Sequence, residues 1–251
     1  MSYNFNVHNT SLTTNPPLLM MATSPPPPPP PPPLRHLLTL DTKFSYFLHS
    51  LFHSYLPVSL LLVLELSADF RFSFPITLAL CLSPLSPSLL PFLSPLLFGL
   101  LLDLAFVGLI KIIFRRARPP YNPNMTAAVS ADNFSFPSGH ASRVFFVAAL
   151  VSLSADAIEK ALMEFRASGG YVDQWIAGDD NTKVVGIVVL VVRVWAAMTA
   201  FSRVLLGRHF FLDVLAGACL GVFEGLVAFQ FLRFEKLLSL LLYQKVGQSR
   251  S

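Results

Sequence analysis

A chain of 251 residues that is 53% hydrophobic and only 13% charged is not built like a soluble domain, in which roughly a quarter of residues carry charge. Most of it belongs in lipid, and its length allows one bundle of about five or six spans at roughly 20 residues each. The net charge of +4 is modest and the basic residues gather at segment ends, so an anionic headgroup in a bilayer is the expected partner and nucleic acid is not. Cys81 and Cys219 both lie in apolar runs and read as packing residues rather than a disulfide or metal pair.

Residues 1–33 are polar and close on an unbroken proline run, Pro25 to Pro33. Such a run adopts polyproline II and builds no core, so a disordered, Pro-rich, extended tail is expected, with a ligand role for SH3- or WW-type modules as the lesser alternative. No basic region followed by an apolar stretch opens the chain, so a cleaved signal peptide is not expected. Residues 34–235 are expected to form an all-α, polytopic transmembrane bundle of about six helices. Residues 236–251 form a short tail, basic at its end and suited to a cytosolic surface.

Within the bundle, Leu34 to Asp69 reads as an interfacial helix leading into a first span at about Leu51–Leu66, with Asp41, Lys43, His49, His53 and Glu65 as polar interruptions. His49 and His53 lack a third ligand and read as interfacial polar residues. The second apolar run, Phe74–Leu82, is short and must borrow from its flanks if it crosses. Span three, Phe92–Phe114, is clean apart from Asp103. The loop Pro119–Pro137, rich in Pro, Asn, Ser and Ala, suggests a cover that faces substrate. Span four is Ala141–Ile158, a polar connection broken at Gly169-Gly170 occupies Glu159–Lys183, and Val184–Thr199 and Phe211–Leu232 are spans five and six.

The chemistry concentrates at three segment ends. Lys111-x6-Arg118-Pro119 closes span three with Lys111, Arg115 and Arg118 near one helical face. By itself such a cluster is ordinarily a positive-inside anchor. Phe136-Pro137-Ser138-Gly139-His140 directly precedes an apolar helical pattern, which puts Ser138 at an N-cap and leaves backbone N–H groups free to hold an anion. By itself this is an ordinary cap. The third motif is Ser202-Arg203-x5-His209-x3-Asp213. On a helix, a carboxylate four residues after a histidine reaches one ring N–H, fixes the tautomer and leaves the other nitrogen to attack.

In this order, and without a substitution, the three motifs resemble the type-2 phosphatidic acid phosphatase superfamily, which includes the lipid phosphate phosphatases. Arg-Arg-Ala-Arg-Pro, Phe-Ser-Phe-Pro-Ser-Gly-His-Ala-Ser-Arg and Arg-Val-Leu-Leu-Gly-Arg-His are most similar to the branch with polyisoprenoid diphosphate phosphatases and plant lipid phosphate phosphatase beta. Residue chemistry and the resemblance agree on a mechanism. His209 attacks phosphorus to give a phosphohistidine, Asp213 orients it, and His140 protonates the leaving oxygen and then activates water. Lys111, Arg118 and Arg203, with Ser138 and Gly139, hold the phosphoryl oxygens. Three cations take the part often given to magnesium, and no acidic cluster lies near the motifs, so neither a metal nor another cofactor is expected. The expected substrate is a lipid phosphate or diphosphate, phosphatidate or an isoprenoid diphosphate. Phosphotransfer between lipids on the same site is the alternative, and a silent scaffold finds no support in residues that are all present.

Counting spans places the motifs on one face and both termini on the other. The resemblance implies that the motif face is lumenal or extracytoplasmic, although charge counting alone would put it in the cytosol, and the endoplasmic reticulum is the expected membrane. Two glycosylation sequons, Asn124-Met-Thr126 and Asn133-Phe-Ser135, lie in the motif-face loop. Arg115, Arg116 and Arg208 read as solvated anchors, with contact to a second phosphate or an anionic lipid as the alternative. Asp103, Arg193 and Glu224 fall at a similar depth, so Arg193 is expected to pair with one of the two carboxylates.

Overall fold

A computed structural model describes residues 31–52, 55–83, 86–121, 133–167 and 180–232. Most of the proline run, His53, Asn124, the Gly169-Gly170 break and the C-terminal tail lie outside the described residues. The described residues form eight helices: α1 Pro32–Phe52, α2 Val58–Ser67, α3 Phe70–Cys81, α4 Ser86–Phe114, α5 Gly139–Leu153, α6 Ala155–Ala167, α7 Asn181–Leu205 and α8 Phe211–Phe231. Three of them, α4, α7 and α8, are each long and apolar enough to cross a membrane, and α5 and α6, bent by 67° at their break, make a fourth only if taken together as one span. The described residues are all-helical in architecture, and the protein is an integral membrane protein.

Local chemistry sets the helix boundaries. Asp69, Ser138 and Asp180 stand at the N-caps of α3, α5 and α7, each accepting a backbone N–H from the first turn. The connection expected at Glu159–Lys183 is in part helical, since α6 runs to Ala167. Thr182 Oγ1 donates to Glu159 at 2.7 Å and ties α6 to the start of α7.

The N-terminal third departs from the sequence reading. Pro57 starts α2 afresh, and Asp69 caps α3, so the first two expected spans become helices of 10 and 12 residues. Each is shorter than a crossing needs. They run end to end along the bundle. Glu65 on α2 lies 3.0 Å from Arg203 at the motif end, the Ala68 carbonyl accepts from Arg143 at 3.1 Å, and Cys81 Sγ reaches the Leu93 carbonyl at 3.8 Å. Leu93 lies about 27 Å along α4 from Lys111, at roughly 1.5 Å per residue. One broken path therefore replaces two spans, and α1 lies on the motif face, opposite to where span counting placed the N-terminal side.

At the centre stands α5, which packs on α4, α7 and α8. Leu100, Phe146, Leu150 and Ala228 form a fully enclosed cluster around it. Its seam with α8 depends on glycines at every fourth position. A Cβ on Gly217 would stand 2.4 Å from the Ser138 carbonyl oxygen, and one on Gly221 would stand 1.9 Å from that of Ser142. Backbone approach this close needs small residues. It also joins two motifs directly, because the Ser138 N–H donates to the Asp213 carbonyl at 3.0 Å.

The buried charges pair differently from expectation. Asp103 meets Arg143 at 2.9 Å, and Glu224 accepts from Ser142 Oγ at 3.3 Å. Arg193 is exposed on the flank of α7, where its Nε donates to Ser152 Oγ at 3.0 Å. The reason is topological: Arg143 lies on the helix that packs against both α4 and α8, whereas α7 packs mainly against α5 and α2.

Candidate active site

The turn that carries His209 is shaped by how α7 ends. Gly207 has φ 64°, a region that favours glycine, and its N–H donates to Val204 at 2.9 Å while that of Arg208 donates to Arg203 at 3.0 Å. This Schellman arrangement reverses the chain. Arg203, in the last turn of α7, and His209, just beyond it, thereby address the same space.

The neck of the Pro119–Pro137 loop supplies the next layer. The Ser135 N–H donates to the Arg116 carbonyl at 2.7 Å, and Ser135 Oγ donates to the Ala117 carbonyl at 3.0 Å. Closing the neck sets Arg116–Arg118 beside Ser135–His140. The Ser135 carbonyl lies 2.7 Å from His209 Nδ1. A carbonyl only accepts, so Nδ1 carries the proton and Nε2 keeps its lone pair. Nε2 lies 3.4 Å from Arg118 Nη1.

Asp213 does not make the hydrogen bond expected of it. Its nearest approach to His209 Nδ1 is 4.0 Å. His209 lies before α8 begins, so helical i,i+4 geometry does not apply to the pair. As the third residue of α8, Asp213 instead accepts the Phe210 N–H at 2.9 Å, a capping role, and pairs with Arg116 at 2.7 Å.

Three cations converge from three elements. Lys111 is buried in the last turn of α4, Arg203 is buried in the last turn of α7, and Arg118 follows α4 with its Nη1 donating to the Arg208 carbonyl at 2.8 Å. Their charges act on both His140 and His209. Burial, then the Arg118, Arg203 and Lys111 charges, hold His209 well below the usual histidine range, so its ring is neutral at neutral pH. His140 occupies the first turn of α5, and its enclosed Nε2 makes no hydrogen bond. Ser138 Oγ accepts the Ala141 N–H at 3.5 Å, and Gly139 opens the helix beside it. Lys111, Arg118, Ser138, Gly139, His140, Arg203, His209 and Asp213 thus all gather at one end of the bundle. Among the described residues no group of three His, Cys, Asp or Glu side chains is placed to hold a metal ion.

Two arginines read as anchors have other partners. Arg116 turns inward, bridges Asp213 at 2.7 Å and Asp41 at 2.6 Å, and lies over the Phe210 ring at 4.2 Å. Arg208 faces Glu65 at 3.7 Å, the same carboxylate that meets Arg203. Arg115 alone is exposed, its Nε turned back to the Ile112 carbonyl at 2.9 Å. Asp41 and Glu65 had read as mere polar interruptions. The signal that marks Asp41 is periodic: Asp41, Ser45 and His49 recur every fourth residue and so share one face of α1.

This arrangement of motifs agrees with known proteins. The family model described as the PAP2 superfamily matches residues 92–236. The chain belongs to the PAP2 superfamily. An Arabidopsis thaliana relative described as probable lipid phosphate phosphatase beta is 53% identical over 203 residues, covering 80% of this chain and 93% of the relative. A crystal structure described as the first transmembrane PAP2 type phosphatidylglycerolphosphate phosphatase, from Bacillus subtilis, matches with a TM-score of 0.59 at 20% identity, over 78% of this chain and 86% of that one. That likeness is one of fold. The protein is a membrane phosphatase of the PAP2 superfamily. The PAP2 match takes in every residue of the three motifs and leaves out α1 to α3, which carry Asp41 and Glu65.

Proposed function

We propose that the protein hydrolyses lipid phosphates or diphosphates without a metal, through a phosphohistidine on His209. The observation that carries this reading is the His209 ring: Nδ1–H is held by the Ser135 carbonyl at 2.7 Å, and the neutral Nε2 faces Arg118 at 3.4 Å. In the attack, the Nε2 lone pair forms a bond to phosphorus as the bond to the leaving oxygen breaks. His140 gives that oxygen a proton, then accepts one from the water that cleaves the P–N bond and frees inorganic phosphate. Lys111, Arg118 and Arg203 spread their charge over the phosphoryl oxygens, and the N-terminus of α5 at Ser138–Gly139 adds backbone donors. Asp213 supports His209 at one remove, through the Phe210 N–H.

The site lies where the long apolar helices end, which suits a headgroup that arrives with its tail still in lipid. The resemblance favours phosphatidate and isoprenoid diphosphates as substrates, and a lumenal site in the endoplasmic reticulum. Asn133 is exposed at the loop neck, so an endoglycosidase-sensitive glycan on that loop is the expected mark of the lumenal face.

The test is phosphate release in proteoliposomes containing chelator, with phosphatidate, lysophosphatidate, sphingosine phosphate, farnesyl diphosphate and presqualene diphosphate side by side. Release from at least one, with labelled phosphate trapped on wild type and absent from His209→Ala, is expected. Label still attached to His209→Ala removes His209 as nucleophile. Activity that appears only on adding a divalent cation removes metal independence, and headgroup transfer without release assigns the site to a phosphotransferase.

A further inference from the structure

The side of α1 that faces the bundle is polar. Leu37, Leu40, Phe44, Phe47 and Leu51 are exposed along with Arg35, Thr42 and Lys43, whereas Asp41 and Ser45 are buried. With His49 these two polar residues form one stripe, and each member of the stripe meets the catalytic turn. Asp41 Oδ1 accepts the Leu212 N–H at 3.0 Å, Ser45 Oγ accepts the Phe211 N–H at 2.8 Å, and His49 Nδ1 lies 2.6 Å from the Leu205 carbonyl. The first N–H groups of a helix have no partner within it. Phe210, at the N-cap of α8, has no side chain able to supply one, and α1 supplies two from outside.

The same carboxylate reaches further. Asp41 Oδ2 holds Arg116 at 2.6 Å, and Arg116 also pairs with Asp213 at 2.7 Å and covers the Phe210 ring. The Arg116 carbonyl accepts the Ser135 N–H at 2.7 Å, and the Ser135 carbonyl holds His209 Nδ1 at 2.7 Å. Two routes thus join Asp41 to the His209 ring, one through the N-terminus of α8 and one through the loop neck. We infer that α1 is a clamp on the catalytic turn and that Asp41 is a positioning residue for His209, acting through Arg116, Ser135 and the first turn of α8. The inference rests on the phosphatase reading above only in naming His209 as the residue whose position matters.

Full-length protein in proteoliposomes tests it, with two readouts. The first is kcat and KM for lipid phosphate hydrolysis. The second is the rate at which diethylpyrocarbonate modifies His209, followed by mass spectrometry, which needs no turnover. Asp41→Asn keeps the shape and an acceptor for Leu212 but loses the charge that holds Arg116. It is expected to lower kcat about tenfold or more, in keeping with the cost of small misplacements, while KM changes less than about twofold and His209 labels several-fold faster. Ser45→Ala removes one cap bond only and is expected to move both readouts the same way by less, which serves where Asp41→Asn does not fold. Arg116→Gln combined with Asp41→Asn is expected to cost no more than either change alone. Unchanged kcat and labelling overturn the clamp, as do a rise in KM alone, which marks a substrate contact, or losses that multiply in the double variant. Wild type that releases no phosphate from any lipid overturns the phosphatase reading instead, and the labelling rates then decide the clamp by themselves.

Discussion

Arg116 and Arg143 each stand beside two acidic side chains, one at the catalytic turn and one deeper between α4, α5 and α8. Around Arg116 the donors and acceptors match. Its two amino groups meet Asp213 at 2.7 Å and Asp41 at 2.6 Å, and the carboxylates' other oxygens take the Phe210 and Leu212 N–H groups at 2.9 and 3.0 Å. Around Arg143 they do not. It donates to Asp103 at 2.9 Å and to the Ala68 carbonyl at 3.1 Å, but Arg143 Nε finds no acceptor, and Asp103 Oδ1 and Glu224 Oε1 accept no hydrogen bond. The first cluster is wired to the backbone that carries His209. The second is wired to helix packing, since its members come from α4, α5, α8 and the end of α2. One arginine is therefore expected to govern turnover and the other assembly.

The largest effect that sharpens this contrast is Arg143→Leu. Removing the cation leaves Asp103 buried in a nonpolar setting without its partner, a loss on the order of 3–5 kcal/mol. The Arg143→Leu/Asp103→Leu double variant is expected to recover part of it, measured as thermal stability in detergent. Turnover per folded molecule is expected to fall by less than in Asp41→Asn, because no member of this cluster bonds to the turn that carries His209 and Arg143 acts on His140 through its charge alone. A collapse of kcat in a variant that remains folded breaks the division of labour.

Next is the seam that sets the two clusters at their separation. Gly221→Ala places a methyl group 1.9 Å from the Ser142 carbonyl oxygen, which belongs to backbone and cannot swing aside. A loss of about 1–3 kcal/mol is expected. Gly186→Ala, on α7 where nothing lies within 4 Å of the added Cβ, is the control and is expected to keep or slightly raise stability. Equal losses in both variants would show that close approach to the Ser142 carbonyl does not set the cost.

A pH profile probes the catalytic end alone. His209 is held below its ordinary value of 6.5 by burial and by Arg118, Arg203 and Lys111, with Ser135 acting weakly the other way. Its nucleophilic form therefore persists below pH 6.5, and kcat/KM is lost only as pH falls through the lowered value. Arg118→Ala removes the nearest of those charges and is expected to move the acid limb upward, toward the free-histidine value, besides lowering the rate. An acid limb that stays in place shows that the Arg118 charge does not depress the ring.

Much of the site was legible because its motifs are local. Ser138 reads as an N-cap from Pro-Ser-Gly-His and an apolar run, and Gly207 ends α7 in the middle of Arg-Val-Leu-Leu-Gly-Arg-His. The convergence of Lys111, Arg118, His140, Arg203 and His209 followed from each lying at the end of an apolar segment. What escaped depends on contacts between distant segments. Nothing local says that Asp213 caps its own helix while the Ser135 carbonyl holds His209, since that bond forms only when the loop neck closes. Pro57 and Asp69 mark breaks, yet whether the short helices that follow them cross separately or end to end depends on Glu65, Ala68 and Cys81 finding partners at successive depths. The face of α1 was ambiguous for a similar reason. Its periodicity separates a polar stripe from an apolar one without saying which stripe meets the bundle.

Arg193 carries the smallest prediction and bears on the same ambiguity. Its depth in α7 suggested a partner among Asp103 and Glu224, but depth fixes only one coordinate, and the direction in which a side chain points is set by which helices are neighbours. Asp103 is taken by Arg143, from the helix that α4 and α8 share. Arg193 is left on the outer flank, where a long side chain can bury its stem along the helix and send its charge toward the interface. One hydrogen bond to Ser152 Oγ at 3.0 Å is the contact to lose. Arg193→Leu is therefore expected to change stability by no more than about 0.5 kcal/mol, the usual range for surface substitutions. Its combination with Asp103→Leu is expected to be additive, whereas Arg143→Leu with Asp103→Leu is not. Thermal unfolding of the single and double variants in detergent separates the cases. Strong coupling between Arg193 and Asp103 would return the ion pair to α7 and undo the assignment of Arg143 as the cation of the deeper cluster.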